Sequence, residues 1–359
     1  MSSGPGYLPG DMIAELIPPS FFAARADLLL WLIGACGIAL LVFGADRVVA
    51  SAARLAATMG LSKVIVGATV VSLGTTLPEA VVSVKAAWQG NPGLALGNGV
   101  GSIICDTGLI FGLCCLLKRL PADRFVLKRH GWLQLGAGIL LVGVSCVMWL
   151  LAGDINAVQL PQEVGVAFVV LLVGYMYLSV RWSRQHPQMI ALSARAEPVH
   201  ADHKARKIVK NLSLVVFGAL LVVAGSELLI GSVTEICIRL DVPPAVLAVT
   251  LVAFGTSLPE LATAIASIVK GHSELLVGNI IGADILNVLF VIGASAVARD
   301  LSVDPMFFYL SFPVMLLVLG LLRGYIFING STFRRWQGVP LLAAYAAFVL
   351  FTLRSRGLV

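Results

Sequence analysis

The chain has 359 residues, is 58% hydrophobic but only 12% charged, and has a mean hydropathy of +0.95. A soluble globular protein of that length needs far more polar surface, so the composition indicates a polytopic membrane protein. The formal net charge of +6 is concentrated in a few loops, as in membrane proteins whose basic loops record orientation, and is not a nucleic-acid footprint.

The opening stretch "MSSGPGYLPGDMIAELIPPSFF" has no basic residue before Arg25, and its two acids and four prolines break any leader-like apolar run, so no secretory signal is expected. Apolar segments long enough to span a bilayer follow at about 28–50, 61–89, 93–117, 131–152, 159–180, 209–234, 242–270, 274–298, 306–323 and 337–353. Barrel strands would be shorter and would alternate apolar with polar residues, which these segments do not. The sequence therefore predicts an all-α membrane protein of about ten helices.

Basic residues cluster in "KRLPADRFVLKRH" (118–130), in the stretch from Arg181 to Lys210, and in a short connection after Gly320 holding Arg323, Arg334 and Arg335. The loop "AGDINAVQLPQE" (152–163) has none and carries Asp154 and Glu163. All the basic loops share one face if the N-terminus is outside, which predicts a multi-pass protein of the cell (inner) membrane with both termini outside. Six cysteines show no metal-ligand spacing and read as small apolar residues.

One unit is written twice. "GTTLPE" begins at Gly74 and "GTSLPE" at Gly255, and the same offset of 181 residues maps Gly44 onto Gly225, Asp46 onto Glu227, Gly97-Asn98 onto Gly278-Asn279 and Gly112 onto Gly293. Each copy holds about five spans, and an odd number inverts the second copy. The expected organisation is an extracytoplasmic segment 1–26, a first repeat 27–180, a basic cytoplasmic linker 181–208 and a second repeat 209–359.

The repeated stretch carries the chemistry. Pro78 and Pro259 lack an N–H, so helices 2 and 7 should break there and leave carbonyls without helical partners. Thr75, Thr76, Thr256 and Ser257 add hydroxyls, and Glu79 and Glu260 follow the prolines in the first turn of a second half-helix. Glu79 is the only ionisable residue from Val64 to Val84, and Glu260 is the only one between Ala245 and Val269. Asp106 and Asp284 are likewise isolated acids in helices 3 and 8, where glycines allow close helix packing. At roughly 3 kcal/mol each on the insertion scale, four such acids are expensive unless they serve a purpose. Oxygen ligands of this kind suit hard cations such as Na+ and Ca2+. Asp46 and Glu227 lie nearer span ends and read as structural or entrance residues.

The paired GT-x-LPE stretches, each followed by GN-x-x-G, resemble the two alpha repeats of the sodium/calcium exchanger superfamily of cation/calcium antiporters, over both halves of the chain. The resemblance implies ten helices in an inverted five-plus-five arrangement and export of Ca2+ driven by Na+ entry through alternating access. It implies no cofactor, no enzymatic activity and no obligatory protein partner. By motif position it implicates Glu79, Thr75, Thr76, Ser102 and Asp106 from one repeat, and Glu260, Thr256, Ser257 and Asn287 from the other, with the carbonyls of Ser72 and Ala253. This sequence departs from the family pattern in three ways. The acid expected at 287 stands instead at 106, Ala283 replaces a hydroxyl residue, and Asp284 stands where Asn is common. These departures leave open an H+- or K+-coupled exchanger, or one carrying another divalent ion. An intramembrane enzyme is a poorer reading, because the five histidines (130, 186, 200, 203 and 272) are placed in or beside loops. A passive channel is also poorer, because broken inverted helices favour alternating access.

Overall fold

A computed structural model describes residues 17–185, 201–240, 257–328 and 332–355. Among them, eight helices are long and apolar enough to cross a membrane: α1 (Asp27–Met59), α3 (Pro92–Leu117), α4 (Arg124–Ala152), α5 (Gln162–Arg184), α6 (Ala201–Arg239), α8 (Ser273–Ala298), α9 (Phe307–Ile328) and α10 (Gly338–Ser355). A ninth, α2, is a bent pair, Lys63–Leu77 and Glu79–Trp88. The apolar helix α7 (Leu258–Val269) is the described part of the span predicted at 242–270. The expected all-α membrane fold is therefore present, and the outer helices display large apolar side chains such as Leu150, Phe217 and Leu220 to the surroundings.

The duplication is visible in how α1 meets α6. A Cβ added to Gly37 would lie 2.8 Å from the carbonyl oxygen of Gly225, and one on Gly225 would lie 2.7 Å from that of Gly37. Gly44 and Gly218 approach each other in the same way, at 2.7 and 2.9 Å. The two helices thus run antiparallel with their backbones in contact, which only small residues permit. The 181-residue offset converts Gly37 into Gly218 and Gly44 into Gly225, so the contact maps onto itself. That is the signature of a twofold relation between inverted repeats.

At the centre lies α8, the most deeply buried of the described spans. It packs against the start of α2 through glycines. A Cβ on Gly278 would meet the carbonyl oxygen of Val64 at 2.0 Å, and one on Gly282 would meet that of Ala68 at 2.5 Å.

Two short antiparallel strand pairs tie the ends of the bundle. β1 (Leu120–Pro121) pairs with β4 (Thr332–Phe333), and β2 (Gln159–Leu160) pairs with β3 (Leu301–Ser302). The first pair joins the α3–α4 and α9–α10 connections on one face, where Arg335 Nη2 donates to the Leu117 carbonyl at 3.4 Å and Lys118 Nζ to that of Ile268 at 3.4 Å. The second pair joins the α4–α5 and α8–α9 connections at the other end. Lys118, Arg119, Arg334 and Arg335 therefore share one face.

Several local expectations need correction. Arg323 is not in a connection: it lies within α9, 4% exposed, with its guanidinium 4.1 Å from the Trp132 ring centroid and 4.3 Å from that of Phe327. Stacking on aromatic faces lets a cation stay inside a span end. Residues 124–130 open α4 and are not loop, which buries His130 between Tyr175 and Trp182. Residues 201–208, read as linker, form the first turns of α6.

The glycine contacts make a paired prediction. Gly278→Ala forces a methyl into the Val64 carbonyl and should cost roughly 3 kcal/mol or more, read as a lower apparent Tm of the purified protein. Gly174→Ala, with no atom within 4 Å of its added Cβ, should leave Tm unchanged or slightly raised.

Candidate ion-binding site

In α2, regular helix over Lys63–Val66 gives way to a π-helical segment over Gly67–Val71, then to α-helix over Ser72–Trp88. The expected break takes the form of a 45° bend between Leu77 and Glu79. Pro78 has no N–H to bond back to Gly74, which explains the bend. Before it, Thr75 Oγ1 donates towards the carbonyls of Ser72 at 3.2 Å and Val71 at 3.3 Å. In the second repeat, Ser257 has non-helical dihedrals (φ −90°, ψ 8°), α7 begins at Leu258, and Pro259 and Glu260 fall in its first turn. Thr256 and Ala253 lie outside the described residues.

The two repeats meet through their acids. Thr76 Oγ1 donates to Glu260 Oε1 at 3.5 Å, and Ser257 Oγ donates to Glu79 Oε1 at 3.5 Å. Thr76 and Ser257 are mates under the 181-residue offset, as are Glu79 and Glu260, so this is one contact made twice. At 3.5 Å each bond is at the weak limit for a hydroxyl donor. A shorter bond, Ser102 Oγ to Glu79 Oε1 at 2.8 Å, has no mate because Ala283 occupies the equivalent position. Asn98 Nδ2 donates to Ser83 Oγ at 2.9 Å and to the Glu79 carbonyl at 3.4 Å. Its mate Asn279 donates to Thr263 Oγ1 at 3.3 Å, so each repeat ties helix 3 or 8 to its acid-bearing neighbour.

Asp106 lies in a π-helical segment of α3, Ile104–Phe111, and Asn287 opens the corresponding one in α8, Asn287–Ile292. Such π segments shift side chains off the α register and often accompany functional sites. Asp284 is held from another direction: the Thr107 hydroxyl donates to Oδ2 through a short bond, and Gln134 Nε2 of α4 donates to the same oxygen at 2.5 Å. Ser72, Thr75, Thr76, Glu79, Ser102, Asp106, Ser257, Glu260, Asp284 and Asn287 are all at most 2% exposed. Among the described residues, Glu79 Oε2, Glu260 Oε2, Asp284 Oδ1, both Asp106 oxygens and both Asn287 side-chain atoms have no hydrogen-bond partner.

Buried carboxylates without full compensation are costly, and here they lie near enough to repel one another: Asp106 feels Glu260, Glu79 and Asp284. Among the described residues no three His, Cys, Asp or Glu side chains converge as a closed metal cage. A cation here would complete its shell with hydroxyl, amide and backbone oxygen, a donor set suited to Na+ or Ca2+ and not to zinc.

Sequence reasoning did not single out Thr107, Gln134, His130 or Tyr175. Gln134 was detectable as the lone amide side chain in the fourth span. Tyr175 donates its hydroxyl to the Ala68 carbonyl at 3.0 Å, beside His130 Nδ1 at 3.2 Å, satisfying a carbonyl within the π segment of α2. Nothing in the sequence pairs residues so far apart.

Inverted five-helix repeats with a bent helix and facing acids define a secondary transporter fold. The family model described as sodium/calcium exchanger protein matches residues 29–181 and again 210–354, and the chain belongs to that family. It is 33% identical over 282 residues to inner membrane protein YrbG of Escherichia coli, covering 79% of this chain and 84% of that one. It is 28% identical over 336 residues to the sodium/calcium exchanger MaX1 of Methanosarcina acetivorans, covering 88% and 95%. A solved structure of the sodium-calcium exchanger NCX_Mj, soaked with 10 mM Na+ and zero Ca2+, superposes with a TM-score of 0.76 at 27% identity, covering 90% of this chain and 99% of that one.

Removing a donor from a buried carboxylate leaves it less well satisfied. Gln134→Leu should therefore destabilise the protein by about 1–3 kcal/mol, seen as a lower apparent Tm in detergent. An unchanged Tm would show that Gln134 does not support Asp284.

Proposed function

We propose that the chain is a Na+/Ca2+ antiporter that exports Ca2+ from the cell, driven by Na+ entry, by alternating access across the cytoplasmic membrane. The observation that carries this reading is the reciprocal pair Thr76–Glu260 and Ser257–Glu79, which sets one carboxylate from each repeat at the plane where the repeats meet. Glu79, Glu260, Asp106 and Asp284 supply the charge, Thr75, Thr76, Thr256, Ser257, Ser102 and Asn287 supply neutral oxygen, and the carbonyls of Ser72 and Ala253 complete the set. A cation entering the site offsets the mutual repulsion of the acids. An empty, dry site with several ionised carboxylates is so unfavourable that the protein changes face only when some cation occupies it, and that is the physical basis of exchange. No cofactor, enzymatic step or protein partner enters this scheme.

Orientation follows from the basic face bearing Lys118, Arg119, Arg334 and Arg335, which we assign to the cytoplasm, leaving both termini outside. In a background lacking native cysteines, Arg119→Cys should resist membrane-impermeant thiol reagents in intact cells while Asn156→Cys reacts. The opposite pattern overturns the orientation.

A second reading, in which H+ or K+ couples transport or another divalent ion is cargo, is favoured by one observation: Asp284 adds a buried acid beyond the usual pattern, with Thr107 and Gln134 built around it. Purified protein in vesicles decides between them. Ca2+ uptake should require an outward Na+ gradient and fail with a proton or K+ gradient alone.

Breaking a buried ionic contact by removing one partner costs about 3–5 kcal/mol, so Glu79→Gln and Glu260→Gln should each lower Ca2+ flux by more than roughly 100-fold while the protein stays folded. Near-normal flux in both variants refutes the ligand assignment. Asp106→Asn should also weaken flux strongly. Adding Asn287→Asp restores the charge at the mirrored position and should recover part of it. A double variant no more active than Asp106→Asn, at equal expression, counts against a shared cation site.

A further inference from the structure

On the basic face, away from the acids, the end of α1 and the α7–α8 turn form an open surface cavity of about 460 Å³ lined by Arg54, Lys63, Lys270 and His272, with Ala50 and Ala53 of α1 forming an apolar wall. It shares this face with Lys118, whose ammonium bonds to the Ile268 carbonyl two residues before Lys270. Three cations come from three separate elements, so the clustering is tertiary and not a solvated run of sequence.

Contacts to neighbouring elements hold these groups in place. Arg54 is anchored by Nε to Asn211 Oδ1 at 3.3 Å and by Nη2 to Ser51 Oγ at 2.9 Å. Lys63 Nζ lies 3.1 Å from His272 Nδ1, a contact in which the ammonium donates to a neutral imidazole. His272 is held below its ordinary pKa first by burial and then by the Lys63 charge, against the opposing pull of Glu274. Lys270 Nζ forms an ion pair with Asp46 at 2.6 Å, joining the turn to α1. Each ammonium has three N–H groups, and one such contact on each leaves donors for a further ligand. Asp46 and Glu274 offset part of the positive charge, and Arg54, Lys63 and Lys270 outnumber them.

We propose that this cavity binds the phosphate headgroup of an anionic phospholipid from the leaflet on the basic face. Phosphate suits a fork of arginine and lysine donors. The apolar wall distinguishes a lipid from free phosphate, which has no use for it. Beside the cavity, Met59 at the end of α1 and Val209 and Leu212 near Asn211 on α6 are exposed apolar side chains on which acyl chains can lie. A bound headgroup ties α1 to the start of α2 and to the α7–α8 turn. This inference does not depend on which ions are exchanged.

The test is binding and not flux. Native mass spectrometry of the detergent-purified full chain, titrated with phosphatidylglycerol and with phosphatidylcholine, should show preferential retention of phosphatidylglycerol. At roughly fivefold per basic residue, Arg54→Gln/Lys63→Gln should weaken that binding by about 25-fold. Ala53→Leu, which narrows the wall without changing charge, should also weaken it. Inorganic phosphate in millimolar excess should fail to displace the lipid, and displacement would assign the site to a free phosphate instead. Unchanged phosphatidylglycerol affinity in a folded double variant overturns the proposal. If the double variant does not fold, unchanged affinity in Ala53→Leu does so.

Discussion

Glu79 and Glu260 are wholly out of solvent where the two repeats meet, and a carboxylate so placed persists only if other groups replace its lost hydration. Much of the local architecture follows from that constraint. The bend at Pro78 and the non-helical Ser257 bring hydroxyls from each repeat to the acid of the other. Asn98 and Asn279 then fasten α3 and α8 to the helices that bear the acids. Among the described residues the compensation is incomplete, since one oxygen of each glutamate has no partner there. A site that protein dipoles satisfied fully would have no need of a cation.

The same constraint explains the close backbone contacts. Acids on different helices can face one small volume only if their backbones come near, and bulky side chains would hold them apart. Gly278 and Gly282 let α8 rest directly on the π segment of α2, while the glycine pairs of α1 and α6 form a seam that maps onto itself under the repeat. Polar contacts flank it, among them Arg54 to Asn211 and Arg239 to Asp27. The seam joins two helices that run antiparallel and do not supply the acids of the site.

The repeats share their glycine seam and their reciprocal hydroxyl–acid contacts but differ in chemistry. Glu79 receives a 2.8 Å bond from Ser102 that Glu260 lacks, because its mate position is Ala283. The acid at 106 is matched under the offset by an amide at 287, and Asp284 has no acidic mate since the offset leads to Ile103. Asp284 instead has its own donors, Thr107 and Gln134, from α3 and α4. Duplication supplied the scaffold, and later substitutions redistributed charge within it while keeping every changed position buried.

The sequence by itself determined the class of fold, because a bilayer leaves little choice: long apolar runs must be helices, and a proline beside an acid in such a run must bend the backbone and expose oxygen. It also determined the duplication and most of the candidate site, because Glu79, Thr76, Ser257, Glu260, Asp106 and Asp284 are rare polar residues in an apolar background. Only the tertiary structure decided which of them touch. The cross-repeat bonds, the Gln134–Asp284 contact and the Tyr175 hydroxyl on the Ala68 carbonyl join residues more than 100 positions apart, and no local periodicity encodes such a pairing. It also decided where spans end. Arg323 and His130 read as loop markers by charge, yet Trp132 from α4 covers the first and Tyr175 and Trp182 from α5 enclose the second, and burial of that kind depends on packing that composition does not record.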